Sequence, residues 1–159
     1  MTGAEFKTYR QSLGLSCQQV AQLTKYSLRT VRYWESDTSL VPVEAKQTLA
    51  KIDDALSRAV SNIADCVNAA TSQHGEAPRA ITLIHYRNDA DLWEFHPEMA
   101  PLSVSTHAVM LAKAQKHFAG SPITVRIEYM RPTEYRRWLD GKPDSQQNRF
   151  AWAATLRRR

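Results

Sequence analysis

Apolar side chains fall three and four positions apart over most of the first 73 residues, and two positions apart in short stretches beyond residue 80. The first spacing marks one face of a helix and the second one face of a strand. Phe6, Tyr9, Arg10 and Leu13 recur at helical spacing behind a Thr2–Glu5 capping pair, and Gly14 stops that helix. Ser16 opens a second helix, with Gln19 completing the cap and Val20, Ala21 and Leu23 forming an apolar side. Ser27 repeats the first half of that signal before a third helix, which turns Val31 and Trp34 inward. The connection Thr24-Lys25-Tyr26 has the length that joins the two helices of a helix-turn-helix. Away from Val31, the third helix presents Leu28, Arg29, Arg32 and Tyr33 as a polar, cationic outer face.

Ser36 to Ser39 is a polar loop, and Pro42 stands where a new helix can begin. From Val43 to Gln73, Leu49, Ile52, Leu56, Ala59 or Val60, Ile63, Val67 and Ala70 trace one apolar stripe. An unbroken helix there would be ~45 Å long at 1.5 Å per residue. The expectation is a short helix closing an N-terminal domain and running into, or hinged to, a longer one. The stripe has two readings, internal core or a seam against a second subunit.

Residues 72–78 carry Gly75 and Pro78 in a polar setting, which places a boundary between a domain over 1–73 and another over 77–159. Ala80 to Tyr86 is apolar and β-branched, a largely buried strand. Asp89 to Phe95 predicts a helical turn capped by Asp89, and Ser105 caps a helix from Thr106 to about Phe118. Ile123, Val125, Ile127 and Tyr129 alternate with polar residues as a half-exposed strand, and Pro132 to Leu139 predicts a short helix. Phe150, Trp152, Ala154 and Leu156 alternate as a third strand, although Ala151-Trp-Ala-Ala154 also suits a helix. The second half is therefore a small α+β domain.

Composition is that of an ordinary globular protein, with 43% apolar and 23% charged residues. No apolar run approaches the roughly 18 residues of a membrane span, so no membrane partner is expected. Two distant cysteines, Cys17 and Cys66, fit a reducing cytoplasm. The net charge of +5 and a pI near 9.4 favour anionic partners. Residues 1–76 nevertheless hold 8 basic and 8 acidic side chains, against 13 and 8 in residues 77–159. Any nucleic-acid footprint in the first half must come from local arrangement. His74, His85, His96, His107 and His117 never fall three or four residues apart, and no cysteine or carboxylate completes a ligand set, so no metal is expected. Phosphate-binding loops, dinucleotide fingerprints and nucleophile elbows are likewise missing from the sequence. These gaps predict no enzyme and no cofactor.

Residues 1–56 resemble the lambda-repressor-like helix-turn-helix proteins of the Cro/C1 (XRE) type. The resemblance rests on Leu13-Gly-Leu-Ser16, Val20-Ala21, Ser27, Thr30-Val31 and Trp34-Glu35. Arg10 and Glu35 stand where that family pairs an arginine with a glutamate, while Lys25 and Asp37 replace its usual turn glycines. Tyr33-Trp34-Glu35-Ser36 with Val41-Pro42 is more narrowly similar to the YdiL-like regulators, a group that also resembles the anti-CRISPR-associated repressors. In those, a short helix-turn-helix domain joins a C-terminal dimerisation domain. The fold class implied is an all-α lambda-repressor-like N-terminal domain followed by the α+β domain.

The resemblance further implies that the helix beginning at Leu28 enters the major groove of double-stranded DNA. Arg29 and Arg32 would bind guanine bidentately, Leu28 would touch a thymine methyl, and Tyr33 would reach a base or a phosphate. Thr30 belongs to the same first turn. Cys17 and Gln18, at the positive end of the preceding helix, suit a phosphate, as do Lys25 and Ser27. Arg136, Arg137 and Arg157 to Arg159 are further phosphate candidates or simply solvated charge. The function implied is a homodimeric repressor reading an inverted repeat. Its rivals are an antitoxin-like module whose C-terminal half grips a partner protein, and a sensor whose C-terminal half binds a small ligand.

Overall fold

Each of the first three helices begins at a serine or threonine cap. The structure, a computed structural model, describes residues 1–156, so the candidates Arg157 to Arg159 lie outside the described residues. In α1 (Gly3–Ser12) the Thr2 hydroxyl accepts from Glu5 N at 3.1 Å and the Glu5 carboxylate accepts from Thr2 N at 2.7 Å. Ser16 and Gln19 repeat this reciprocal cap on α2 (Cys17–Thr24), and Ser27 accepts from Thr30 N to start α3 (Leu28–Glu35). Each cap satisfies an amide the helix itself cannot, which is worth about 1 kcal/mol. The three helices close over Phe6, Leu13, Val20, Val31 and Trp34, and Phe6 meets Trp34 edge-on at 5.7 Å.

Helix α4 (Val43–His74) runs unbroken for 32 residues and ends at Gly75 in the left-handed conformation. At 1.5 Å per residue it is about 48 Å long. Of the two expectations for this stretch, a helix running on into a longer one or a hinge between them, the continuous helix is found. Its apolar stripe divides between two cores. Ala45, Leu49, Ile52 and Leu56 complete the core of α1–α3, and Val60, Ile63 and Val67 face the second half of the chain. The stripe is thus buried within one chain, as the internal-core reading expects. Packing passes from one core to the other inside α4, well before the chain turns at Gly75.

Strands β1 (Ala80–His85) and β2 (Thr124–Tyr129) pair in parallel, from Ala80 opposite Thr124 to His85 opposite Tyr129. Parallel neighbours need a crossover. This one carries α5 (Asp89–Phe95), a 3-10 turn at Pro97–Met99, and α6 (Val104–Phe118), which packs on both strands and on α4. After β2 come α7 (Pro132–Leu139) and α8 (Gln146–Thr155), which enclose a third core of Tyr86, Leu92, Phe95, Met130, Tyr135, Leu139 and Trp152. The architecture is a helical N-terminal part with a small α+β part behind it. No helix among the described residues is long and apolar enough to cross a membrane.

Three local expectations are corrected. The third strand is instead α8: Ser145 caps it by accepting from Asn148 N at 3.0 Å, and three alanines favour the helix that buries Trp152 and Ala153. Helix α5 is capped by Asn88, not Asp89. Asp89 instead accepts from Val104 N at 2.8 Å, so α6 starts before Ser105 and its cap comes from another element.

The two parts touch closely. Gly14, at φ +67°, lies so near the start of α6 that an added Cβ would sit 2.5 Å from the Ser105 carbonyl oxygen. Thr106 donates its hydroxyl to the Gly14 carbonyl at 3.4 Å, and the Gln19 amide donates to the Pro101 carbonyl at 3.3 Å.

Candidate nucleic-acid interface

A buried ion pair fixes α3 against α1. Arg10 is only 7% exposed. Its Nε donates to Glu35 Oε1 at 2.5 Å and its Nη2 to Glu35 Oε2 at 3.3 Å, while Nη1 donates to the Leu15 carbonyl. The fork geometry of arginine serves two carboxylate oxygens and a backbone oxygen at once, so the charge enters the core with its donors satisfied. Left-handed residues follow each helix of the α2–α3 unit, Lys25 at φ 63° in the turn between them and Asp37 at φ 55° beyond α3. These are the positions where glycine would be the easier residue. Asp37 uses its geometry, because its carboxylate accepts from Gly3 N at 2.5 Å and ties the end of α3 to the start of α1.

The outer face of α3 carries Arg29, Arg32 and Tyr33, all exposed. Arg29 Nε donates to the Tyr33 hydroxyl at 2.5 Å, and its guanidinium carbon lies 5.2 Å from the Tyr33 ring centre. The pair is therefore preset as a donor-rich unit. Lys25 is exposed in the turn beside it. Among the described residues, no carboxylate forms an ion pair with Lys25, Arg29 or Arg32. Three cations without a carboxylate partner and a phenol thus share one surface of a segment, residues 1–76, whose 8 basic and 8 acidic side chains balance overall.

The other predicted residues are placed differently. Leu28 is half-buried and packs against the first core, because it sits one helical turn from Val31 and shares its side of α3. Ser27 and Thr30 engage each other at 2.8 Å, with the Ser27 oxygen also capping the helix. Gln18 is exposed, but the Cys17 side chain turns inward, its Sγ 3.5 Å from Glu35 Oε1. Burial pushes the Cys17 thiol above its ordinary pKa, Arg10 pulls it back, and Glu35 adds to the rise. Only the Cys17 backbone amide remains turned to the helix start. Arg136 is neutralised by Glu94, whereas Arg137 is exposed.

Sequence reasoning passed over Tyr26. It is 42% exposed beside Lys25, with its ring 5.0 Å from that of Trp34. An aromatic residue in a tight polar connection was the available signal. Among the described residues, no group of three or more His, Cys, Asp or Glu side chains gathers to hold a metal ion.

A family model described as a domain of unknown function (DUF4447) matches residues 1–156, and the chain belongs to that family. No curated protein matches the chain.

Proposed function

We propose that this member of the DUF4447 family is a cytoplasmic, sequence-specific DNA-binding regulator that reads the major groove with α3 and represses by occupying its site. The observation that carries the reading is the outer face of α3, where Arg29, Arg32 and Tyr33 stand unpaired by carboxylates on a helix held rigidly by the Arg10–Glu35 pair. Support also comes from the left-handed Lys25 and Asp37, which give the backbone the turns that glycines give in the helix-turn-helix proteins it resembles. Arg29 and Arg32 act as bidentate donors to guanine, each worth about 1–3 kcal/mol of discrimination. Lys25, the Ser27 region and the amides of Cys17 and Gln18 bind phosphates and fix register.

A single such domain binds one half-site weakly, so the working form is a homodimer on an inverted repeat, its two α3 helices about 34 Å apart. Because the α4 stripe is buried within the chain, the dimer forms through other surfaces.

The test is selection from a random-sequence DNA pool, alongside light scattering for oligomeric state. The expected result is an enriched palindrome of fixed half-site spacing, with Arg29→Ala and Arg32→Ala each relaxing one base preference. Failure of the pool to enrich, or unchanged affinity in both variants, overturns the proposal.

A further inference from the structure

Between the middle of α4, β1, α6 and α8 lies a cavity of about 390 Å³, lined among others by Leu56, Ile63, Leu83, Met110, Leu111 and Phe150. One part of its lining is polar and carries Tyr86, His96, Glu98, His107 and Arg149. His107 is 4% exposed, and its Nδ1 is fully enclosed without a hydrogen-bond partner. A buried ring nitrogen left unpaired in a folded interior calls for an explanation.

The hydrogen-bonding inventory of this polar end is one-sided. Glu98, the only carboxylate in the lining, holds His96 Nδ1 at 2.9 Å through one oxygen and otherwise faces solvent. Arg149 gives Nη1 to Asp144, which also accepts from the Tyr135 hydroxyl at 2.6 Å, and among the described residues its other N–H groups have no acceptor. Burial pushes the Tyr86 phenol well above its ordinary pKa, so its hydroxyl keeps its proton. Burial, with His96 and His85 adding, pulls His107 down to about 3, so its ring is neutral and carries one N–H. An enclosed lone pair is less costly than an enclosed N–H, which puts the lone pair on Nδ1 and the proton on Nε2. Donors therefore outnumber open acceptors, beside a wide apolar wall.

We propose that this cavity binds a small amphipathic carboxylic acid, with its carboxylate accepting from the Arg149 guanidinium, the Tyr86 hydroxyl and His107 Nε2–H, and its hydrocarbon or aryl body among Leu56, Ile63, Leu83 and Met110. The cavity also reaches the candidate DNA-reading unit. Leu102 and Met110 line it and pack on the first core, and the neighbouring Pro101 carbonyl accepts from Gln19 of α2. A ligand there acts on DNA binding through that contact, a step that rests on the regulator reading.

The experiment is calorimetric titration of the full chain, without DNA, with octanoate and 4-phenylbutyrate and with their primary amides. The expected result is saturable binding of an acid at least about tenfold tighter than its amide, a difference of 1.4 kcal/mol. Arg149→Gln should bring acid and amide together. Ala59→Phe, which fills the cavity from α4, should remove both while cooperative unfolding persists. The inference falls if neither acid binds below ~1 mM, about −4 kcal/mol. It also falls if the amides bind as tightly, or if the Ala59→Phe protein binds unchanged. Acid binding by a protein that enriches no DNA would uphold the cavity and overturn the regulator reading alone.

Discussion

Replacing Gly14 by Ala tests whether the helical part and the α+β part dock as described. Two effects add at this site. Gly14 lies at φ +67°, where a side chain costs about 1–2 kcal/mol. The new Cβ would also lie 2.5 Å from the Ser105 carbonyl oxygen and 2.9 Å from Thr106 N, both backbone atoms that cannot rotate away. Forcing α6 back costs a further ~1–3 kcal/mol by analogy with overpacked cores. The reduced freedom of the unfolded chain returns about 0.4–1 kcal/mol. Gly120 supplies the control, because its φ is +87° but nothing lies within 4 Å of an added Cβ. The net expectation is roughly 2–4 kcal/mol for Gly14→Ala against about 0.5–1.5 kcal/mol for Gly120→Ala. Urea unfolding followed by circular dichroism and tryptophan fluorescence reads both directly. In a thermal scan each kcal/mol corresponds to about 2–4 °C for a chain of this size. If the two variants lose equal stability, within about 0.5 kcal/mol, the contact between Gly14 and α6 does not exist in solution.

Lys25→Gly should stabilise the fold by up to about 1 kcal/mol, since it relieves a left-handed lysine, yet weaken DNA binding and lower its salt slope by about 1; equilibrium unfolding and salt titrations separate the two effects. Arg10→Met leaves Glu35 enclosed without its partner and should cost about 3–5 kcal/mol, whereas the double variant with Glu35→Met should recover much of that loss in the same urea assay. His107 has its folded-state pKa lowered from 6.5 to about 3, so the unfolded chain binds the extra proton between those values. Stability therefore falls as pH falls below about 6.5, with a slope approaching ~1.4 kcal/mol per pH unit from this group. His107→Phe should flatten that slope between pH 6.5 and 5, and an unchanged slope would refute the assignment.

Much of the helical part was legible because its signals are local. A cap acts across three residues, so Thr2–Glu5, Ser16–Gln19 and Ser27 fix three helix starts without any tertiary contact. The outward Arg29, Arg32 and Tyr33 followed from helical spacing alone. Leu28 did not, because a residue near the edge of a stripe is decided by what packs beside it. The alternation Phe150, Trp152, Ala154 and Leu156 misled for a related reason: a short stretch fits both periods, and burial of Trp152 with Ala153 under a Ser145 cap selected the helix.

By itself the sequence determined where the first three helices begin, which stripe of α4 is apolar, that two segments near 80–86 and 123–129 are strands, and which cations α3 turns outward. These properties depend on neighbours within four residues. Tertiary structure alone decided that the α4 stripe serves two cores of one chain, that Asp89 caps α6 across 15 residues, and that His107, Arg149 and Tyr86 converge on one cavity. Those arrangements join residues far apart in the chain, and no local spacing records them because the chain's own packing creates them.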